Sequence, residues 1–230
     1  MKDPSEESRG HGGPRRVQAV VALRLLEVIR DRDLPREILE DEDPSRSMPR
    51  RFGLSDVVER QIRMYREDAR KRVRLSDDEV AGLFRFVIRR PDGEEIFHDL
   101  GRLLAAGERR RRWSRVLPKR AQLAIARGVA RRKLRNVFGR TVGGFARGSF
   151  VVEGRALLFI EADPGGDACH LLSGFCQEVL EQTTGGTAEV THTLCQARGD
   201  PLCRWEAALA GGYTRVAAPP QPEEAPQETT

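Results

Sequence analysis

All four cysteines of this 230-residue chain fall between residues 169 and 203, and two of them close the stretch CQARGDPLC (195–203). Cys195 and Cys203 flank a Gly199-Asp200-Pro201 turn. Such a hairpin can carry a metal, a disulfide, or two small buried side chains. Cys169 and Cys176 lie just upstream, in a stretch with helical pattern. They are seven residues apart, so they share a face but stand about 10.5 Å apart along a helix axis. An ion with bonds of about 2.3 Å to sulfur does not take both. One helix cysteine is therefore a bystander, and Cys176, between Phe175 and Gln177 on an apolar face, reads as core. The candidate set is one helix cysteine, the two hairpin cysteines, and His192 or His170. His170 adjoins Cys169, so their side chains diverge by about 100° on a helix, which makes His192 the easier ligand. A regular strand points His192 and Cys195 to opposite faces, so a bulge or a strand end has to bring them together. On residue types alone zinc, inert core cysteines and a redox or disulfide role stay open, because the spacing is not the paired C-x-x-C of common zinc modules.

The pattern is helical first and strand-rich later. RRVQAVVALRLLEVIRD (15–31), LSDVVERQIRMYREDARKRV (54–73) and the segment after Ser76 carry apolar residues near helical spacing. Ser76-Asp77-Asp78-Glu79 is a capping box: the serine accepts from the Glu79 amide while Glu79 reaches back. That helix ends before Pro91-Asp92-Gly93. A further helix is expected over Glu95–Ala106 and another from Pro118 to about Phe138. SFVVEGRALLFIEA (149–162) reads as two short strands around Glu153-Gly154. Asp167–Thr183 reads as a helix stopped by Gly185-Gly186. Thr187–Ala197 and Leu202–Ala208 read as a second hairpin. The expected class is α+β, with helices packed on an antiparallel sheet and an N-terminal helical region before it. The expected division is 1–14 disordered, 15–89 helical, 90–212 ligand-binding domain and 213–230 disordered, with Asp41–Pro49 a polar loop.

Composition narrows the function classes. Lys and Arg number 40 against 35 Asp and Glu, a net charge of +5, so the surface is mixed in sign. The basic excess concentrates in ERRRRWSRVLPKR (108–120) and ARRKLR (130–135). Such runs read first as solvated faces; no helix-turn-helix or RNA-binding signature accompanies them, so nucleic acid is not an expected partner. No apolar run approaches the roughly 20 residues of a membrane span. MKDPSEESRGHGGPRR has no apolar segment after its charges, so it is not a secretory signal. A cytoplasmic protein is expected, which disfavours a structural disulfide. No catalytic constellation stands out. Gly143-Gly144 and Gly148 do not make a dinucleotide fingerprint, and His98 in EEIFHDL reads as a helix residue with a polar neighbour.

The stretch GFCQEVLEQTTGGTAEVTHTLCQARGDPLCRWE (174–206) resembles the C-terminal part of the 4-vinyl reductase domain family. The matching positions are Cys169, Gly174-Phe175, Cys195, Gly199-Asp200, Cys203 and Trp205. The resemblance covers about 150–207 well. It implies an α+β fold like that of transport protein particle subunits, often dimeric, with an apolar pocket between helices and sheet. It implies a role like that of the sensor domains of sigma-54-dependent activators, which bind small aromatic compounds, or of an accessory protein of tetrapyrrole metabolism. It also implies a structural zinc on Cys169, Cys195 and Cys203, with His192 at the position of the family's usual acidic ligand. That exchange is chemically conservative, because three cysteines and one histidine are a standard zinc set. Candidate pocket residues are Phe138, Phe145, Phe150, Phe159 and Leu172, with Trp113 beside them. The expected function is a zinc-bearing sensor or carrier domain for a small apolar or aromatic ligand, forming a homodimer or acting through a regulatory partner protein. The alternatives are a reductase-like protein of tetrapyrrole metabolism and a scaffold that meets its partners through basic helices.

Overall fold

The computed structural model describes residues 14–33, 56–106, 117–146, 149–155 and 158–209. The expected disordered ends, apart from Pro14, the loop Asp41–Pro49, Trp113 and the Arg-rich run before residue 117 lie outside the described residues. Among the described residues the order is β1 (Val17–Gln18), α1 (Val20–Asp33), α2 (Asp56–Arg70), β2 (Arg74–Leu75), α3 (Asp77–Ile88), α4 (Gly93–Ala105), α5 (Lys119–Phe138), β3 (Gly144–Phe145), β4 (Val151–Gly154), α6 (Leu158–Ala162), α7 (His170–Thr184), β5 (Ala188–Leu194) and β6 (Cys203–Leu209). The chain is α+β, with antiparallel sheets packed against helices. No helix among the described residues is long and apolar enough to cross a membrane.

Local signals set several helix ends. The Glu79 amide donates to the Ser76 hydroxyl at 3.2 Å, and the Glu79 carboxylate accepts from the Ser76 amide at 2.7 Å. This reciprocal cap opens α3 and satisfies two amides that a helix start leaves orphaned. Pro118 precedes α5, and Gly185 closes α7 in the left-handed conformation. Helix α1 starts later than its periodicity suggests. Val17 and Gln18 pair with Leu75 and Arg74 instead, making a two-stranded ribbon.

The main sheet has the order β3-β4-β6-β5, antiparallel throughout. The expected strand pair over 149–162 is corrected: β4 covers Val151–Gly154, but Leu158–Ala162 is the helix α6. Both edges of β4 are already taken, by β3 on one side and β6 on the other, so β4 offers no free edge for a hairpin partner after it. Within the helix, Leu158 and Phe159 are buried. The hairpin β5–β6 forms as expected. One apolar cluster runs from Val17 to Trp205 and draws on both the early helices and the sheet.

The backbones of α4 and α7 nearly touch. A methyl built on Gly101 would stand 2.0 Å from the Leu171 carbonyl oxygen, and one on Gly174 would stand 2.0 Å from that of His98. Only two glycines at the crossing permit this distance. The contact fixes where α7 begins, and the first residues of α7 lead directly out of the candidate site.

Candidate metal centre

Cys169, His192, Cys195 and Cys203 converge. One ligand atom from each lies within 4.8 Å of the other three. The sulfurs of Cys169 and Cys203 are 4.0 Å apart, close to the roughly 3.8 Å edge of a tetrahedron with bonds of about 2.3 Å. The three cysteines are buried and carry no disulfide.

Each side chain is placed by a local device. Cys169 ends a short 3₁₀ turn, Asp167–Cys169, that leads into α7. The buried carboxylate of Asp163 holds the turn, accepting from the amides of Gly165 at 2.8 Å and Ala168 at 2.7 Å. Cys195 opens a second 3₁₀ turn, Gln196–Arg198. Its carbonyl accepts from the amides of Arg198 and Asp200, and its own amide donates to the Asp200 carboxylate at 2.6 Å. The Gln196 amide points at the Cys203 sulfur, 3.3 Å away. An amide aimed at a sulfur suits a thiolate, which accepts a hydrogen bond better than a thiol. The required bulge is present: the β5–β6 register slips between His192 and Leu194, which turns His192 to the side of Cys195.

Trp205 braces two of the four. Its indole N–H donates to the Cys169 carbonyl at 3.2 Å, and its ring stacks on the His192 imidazole at 4.7 Å between centroids and 12° between planes. The tryptophan is fully buried, so the imidazole has little freedom on that face.

The electrostatics single out the cluster. The hydrogen bond from the Cys169 thiol, against the opposing effect of burial, holds the Cys203 thiol well below its ordinary range; the His192 ring and the Gln196 amide act in the same direction. The same hydrogen bond, with burial and the neighbouring sulfurs, pushes the Cys169 thiol up. Burial and crowding oppose charge on Cys169 while Cys203 is held toward its thiolate, an imbalance that a cation between the sulfurs would relieve. Among the described residues His192 Nε2 is buried with no hydrogen-bond partner, an arrangement that ordinarily costs about 1–3 kcal/mol. A metal ion is the partner that fits: thiolates with an imidazole are the donors of tetrahedral zinc. Gly166 packs onto the set from outside. A methyl there would stand 2.8 Å from the Cys195 sulfur.

The remaining sequence candidates are placed as follows. Cys176 is buried on α7 outside the cluster, and desolvation pushes its thiol up to about 12. His170 lies 6.5 Å from the His192 ring and 3.7 Å from the Glu94 carboxylate; burial lowers its pKa. His98 bonds Gln177 at 3.1 Å. Phe138 and Phe159 pack edge to face at 5.6 Å, with Phe84 stacked on Phe159. Phe145 and Phe150 form a second edge-to-face pair at 5.6 Å, and Leu172 is fully buried. The aromatic candidates thus form two ring pairs within one apolar cluster. Sequence reasoning missed the roles of Asp163 and Gly166, although DPGG (163–166) is a visible turn signal. No family model and no curated protein matches the chain.

Proposed function

We propose that this chain is a zinc-stabilised sensor or carrier domain for a small apolar molecule, of the 4-vinyl reductase domain kind. The observation that carries the reading is the buried cluster of Cys169, His192, Cys195 and Cys203, with ligand atoms within 4.8 Å of one another. All four positions of a tetrahedral ion would be filled by protein, which is the mark of a structural rather than a catalytic zinc. The ion would tie the start of α7 to the β5–β6 hairpin. A hairpin alone is marginally stable, so this tie would set the geometry of the helix–sheet interface.

The ligand would enter between that sheet and the helices, with Phe138, Phe159 and Leu172 and the Phe145–Phe150 pair as its candidate lining. These side chains now fill the space themselves, so entry requires them to change rotamer. Buried aromatics around an apolar ligand suit recognition by shape and burial rather than chemistry. A homodimer and output through a partner protein belong to the same reading.

Native mass spectrometry of the freshly purified chain tests both parts. One zinc per chain, lost in Cys203→Ser, is expected, together with uptake of a small aromatic such as phenol or toluene. A metal-free wild-type chain sinks the zinc. A zinc-loaded chain that takes up no apolar compound sinks the sensor role and leaves the zinc intact.

A further inference from the structure

Helix α3 turns one face to the core and a different kind of face outward. Val80, Ala81, Phe84 and Val87 are buried in the apolar cluster. Phe86 points away from them and is 74% exposed, the most exposed large apolar side chain among the described residues. One turn before it stands Gly82, a poor residue for a helix interior. Among the described residues nothing comes within 4 Å of a methyl built on Gly82, so the outer face has a bare spot there. Asp78 lies in the first turn of the helix and Arg89 caps its end, both exposed. At about 100° per residue, Asp78, Gly82, Phe86 and Arg89 fall within about 80° of one another. The stripe is thus acidic at its start, bare in its middle, and apolar and then basic at its end.

That order complements itself when reversed. Two copies of α3 laid antiparallel about a twofold axis level with residue 84 put Phe86 of each copy over Gly82 of the other. Phe86 is two residues past the axis and Gly82 two residues before it. The same register brings Asp78 of one copy to within one residue's rise, about 1.5 Å along the helix, of Arg89 of the other. In a twofold contact each pair occurs twice. The bare spot leaves room for the ring, and aromatic side chains are enriched at the centres of interfaces. Opposite charges at the margin fix the register and reject wrong partners more than they add strength.

We propose that the outer face of α3 is the docking surface for a second copy of this chain, with Phe86 seated over Gly82 and Asp78 paired with Arg89. This places the homodimer of the proposed function, and rests on that reading only for the dimer; it needs neither the ion nor an apolar ligand. Helix α3 has 12 residues, a length of about 18 Å. A pair of such helices covers less than the roughly 1,200–2,000 Å² of a stable complex. The dimer is therefore weak and reversible, with an expected Kd of about 1–100 μM.

Sedimentation equilibrium of the full chain over about 1–500 μM reads that Kd. Asp78 and Arg89 are exposed, so Asp78→Arg and Arg89→Asp should fold, and each alone should dimerise at least about tenfold more weakly. Mixed in equal amounts, the two variants should form a heterodimer of about wild-type strength, because both charge pairs are then opposite again. Phe86→Ser should weaken the dimer by at least about tenfold. Gly82→Gln should do the same without lowering the melting temperature, since glutamine is the better helix former. Met64→Ser, a change at an exposed apolar residue of α2, should dimerise as the wild type does. A wild type that stays monomeric throughout overturns both the surface and the homodimer. A wild-type dimer that these α3 variants leave intact overturns the surface and keeps the homodimer of the proposed function. A mixture no stronger than its two components, or equal weakening by Met64→Ser and Phe86→Ser, also overturns the surface.

Discussion

Gly166→Ala is the sharpest perturbation of the candidate metal centre that leaves every candidate ligand in place. Gly166 has φ +91°, a region costing an L-residue about 1–3 kcal/mol. The added methyl would also lie 2.8 Å from the Cys195 sulfur, with the Arg198 Nε at 3.6 Å and the Ala197 methyl at 3.8 Å. An ordinary contact needs about 3.5 Å or more, so sulfur and methyl must separate by about 0.7 Å. Metal sites tolerate about 0.2 Å in bond length. The sulfur cannot yield that far without losing the ion, so most of the shift falls on the turn Asp163–Cys169. Gly199→Ala is the control. Its φ is +101°, but nothing lies within 4 Å of its methyl. Both variants should lose about 1–3 kcal/mol of stability from the backbone. Only Gly166→Ala should weaken zinc by a further factor of about 10–100, the range for disturbing the shell around a site. Chelator competition on the zinc-loaded chain reads affinity, and urea unfolding with and without chelator reads stability. Equal zinc affinity in the two variants would refute the packing argument, and wild-type affinity in both would detach Gly166 from the site altogether.

Further outcomes follow from the same geometry. Cys195→Ser and Cys203→Ser should each lower metal content and thermal stability together, because affinity at such a site is also folding energy; Cys176→Ser should keep the metal and lose about 1–3 kcal/mol for a buried hydroxyl, as read by metal analysis and denaturant unfolding. His192→Glu should keep the ion, since a carboxylate is also a zinc ligand, whereas His192→Ala should release it more readily to a chelator. The Cys176 thiol is raised in the fold to about 12 from an ordinary 9.0, so the unfolded chain ionises first as pH rises. Its contribution is complete below about pH 9 and falls by about 1.4 kcal/mol per unit from there to the folded value; Cys176→Ala should flatten that slope in unfolding curves taken across this window. Gly101→Ala should destabilise by more than about 3 kcal/mol, since its methyl would meet the Leu171 carbonyl carbon and oxygen and the Phe175 nitrogen, all backbone atoms of α7; a melting temperature like the wild type's would mean that the α4–α7 crossing can open at little cost.

What was legible in the sequence follows from how local each cause is. The capping box at Ser76 and Glu79, the helix opening after Pro118 and the stop at Gly185 depend on residues a few positions apart, and all three stand in the structure. The hairpin around Gly199 is equally local. The stretch 158–162 defeats a local reading because a continuous apolar run has no period to distinguish strand from helix; the neighbours of β4 decided it. The pairing of Val17 with Leu75 was also hidden, since partners 58 positions apart leave no mark on a local window.

By itself, then, the sequence determined the alternation of helices and hairpins, the α+β class, and the exclusion of a joint role for Cys169 and Cys176, because helix pitch keeps those two sulfurs apart; the apolar neighbours of Cys176 marked it as the core residue of the two. Only the tertiary structure decided that His192 joins the cysteines, through a slip in register at the bulge and a stack on Trp205. It alone placed the Asp163 carboxylate under the turn before Cys169, and it alone gathered Arg15, Arg74 and Arg135 into one cleft. The physical reason is range: capping and periodicity act within a turn or two of the chain, whereas a cluster of candidate metal ligands and a charged cleft are meetings of distant segments. Those meetings are set by packing such as the glycine crossing of α4 and α7, which no local pattern records.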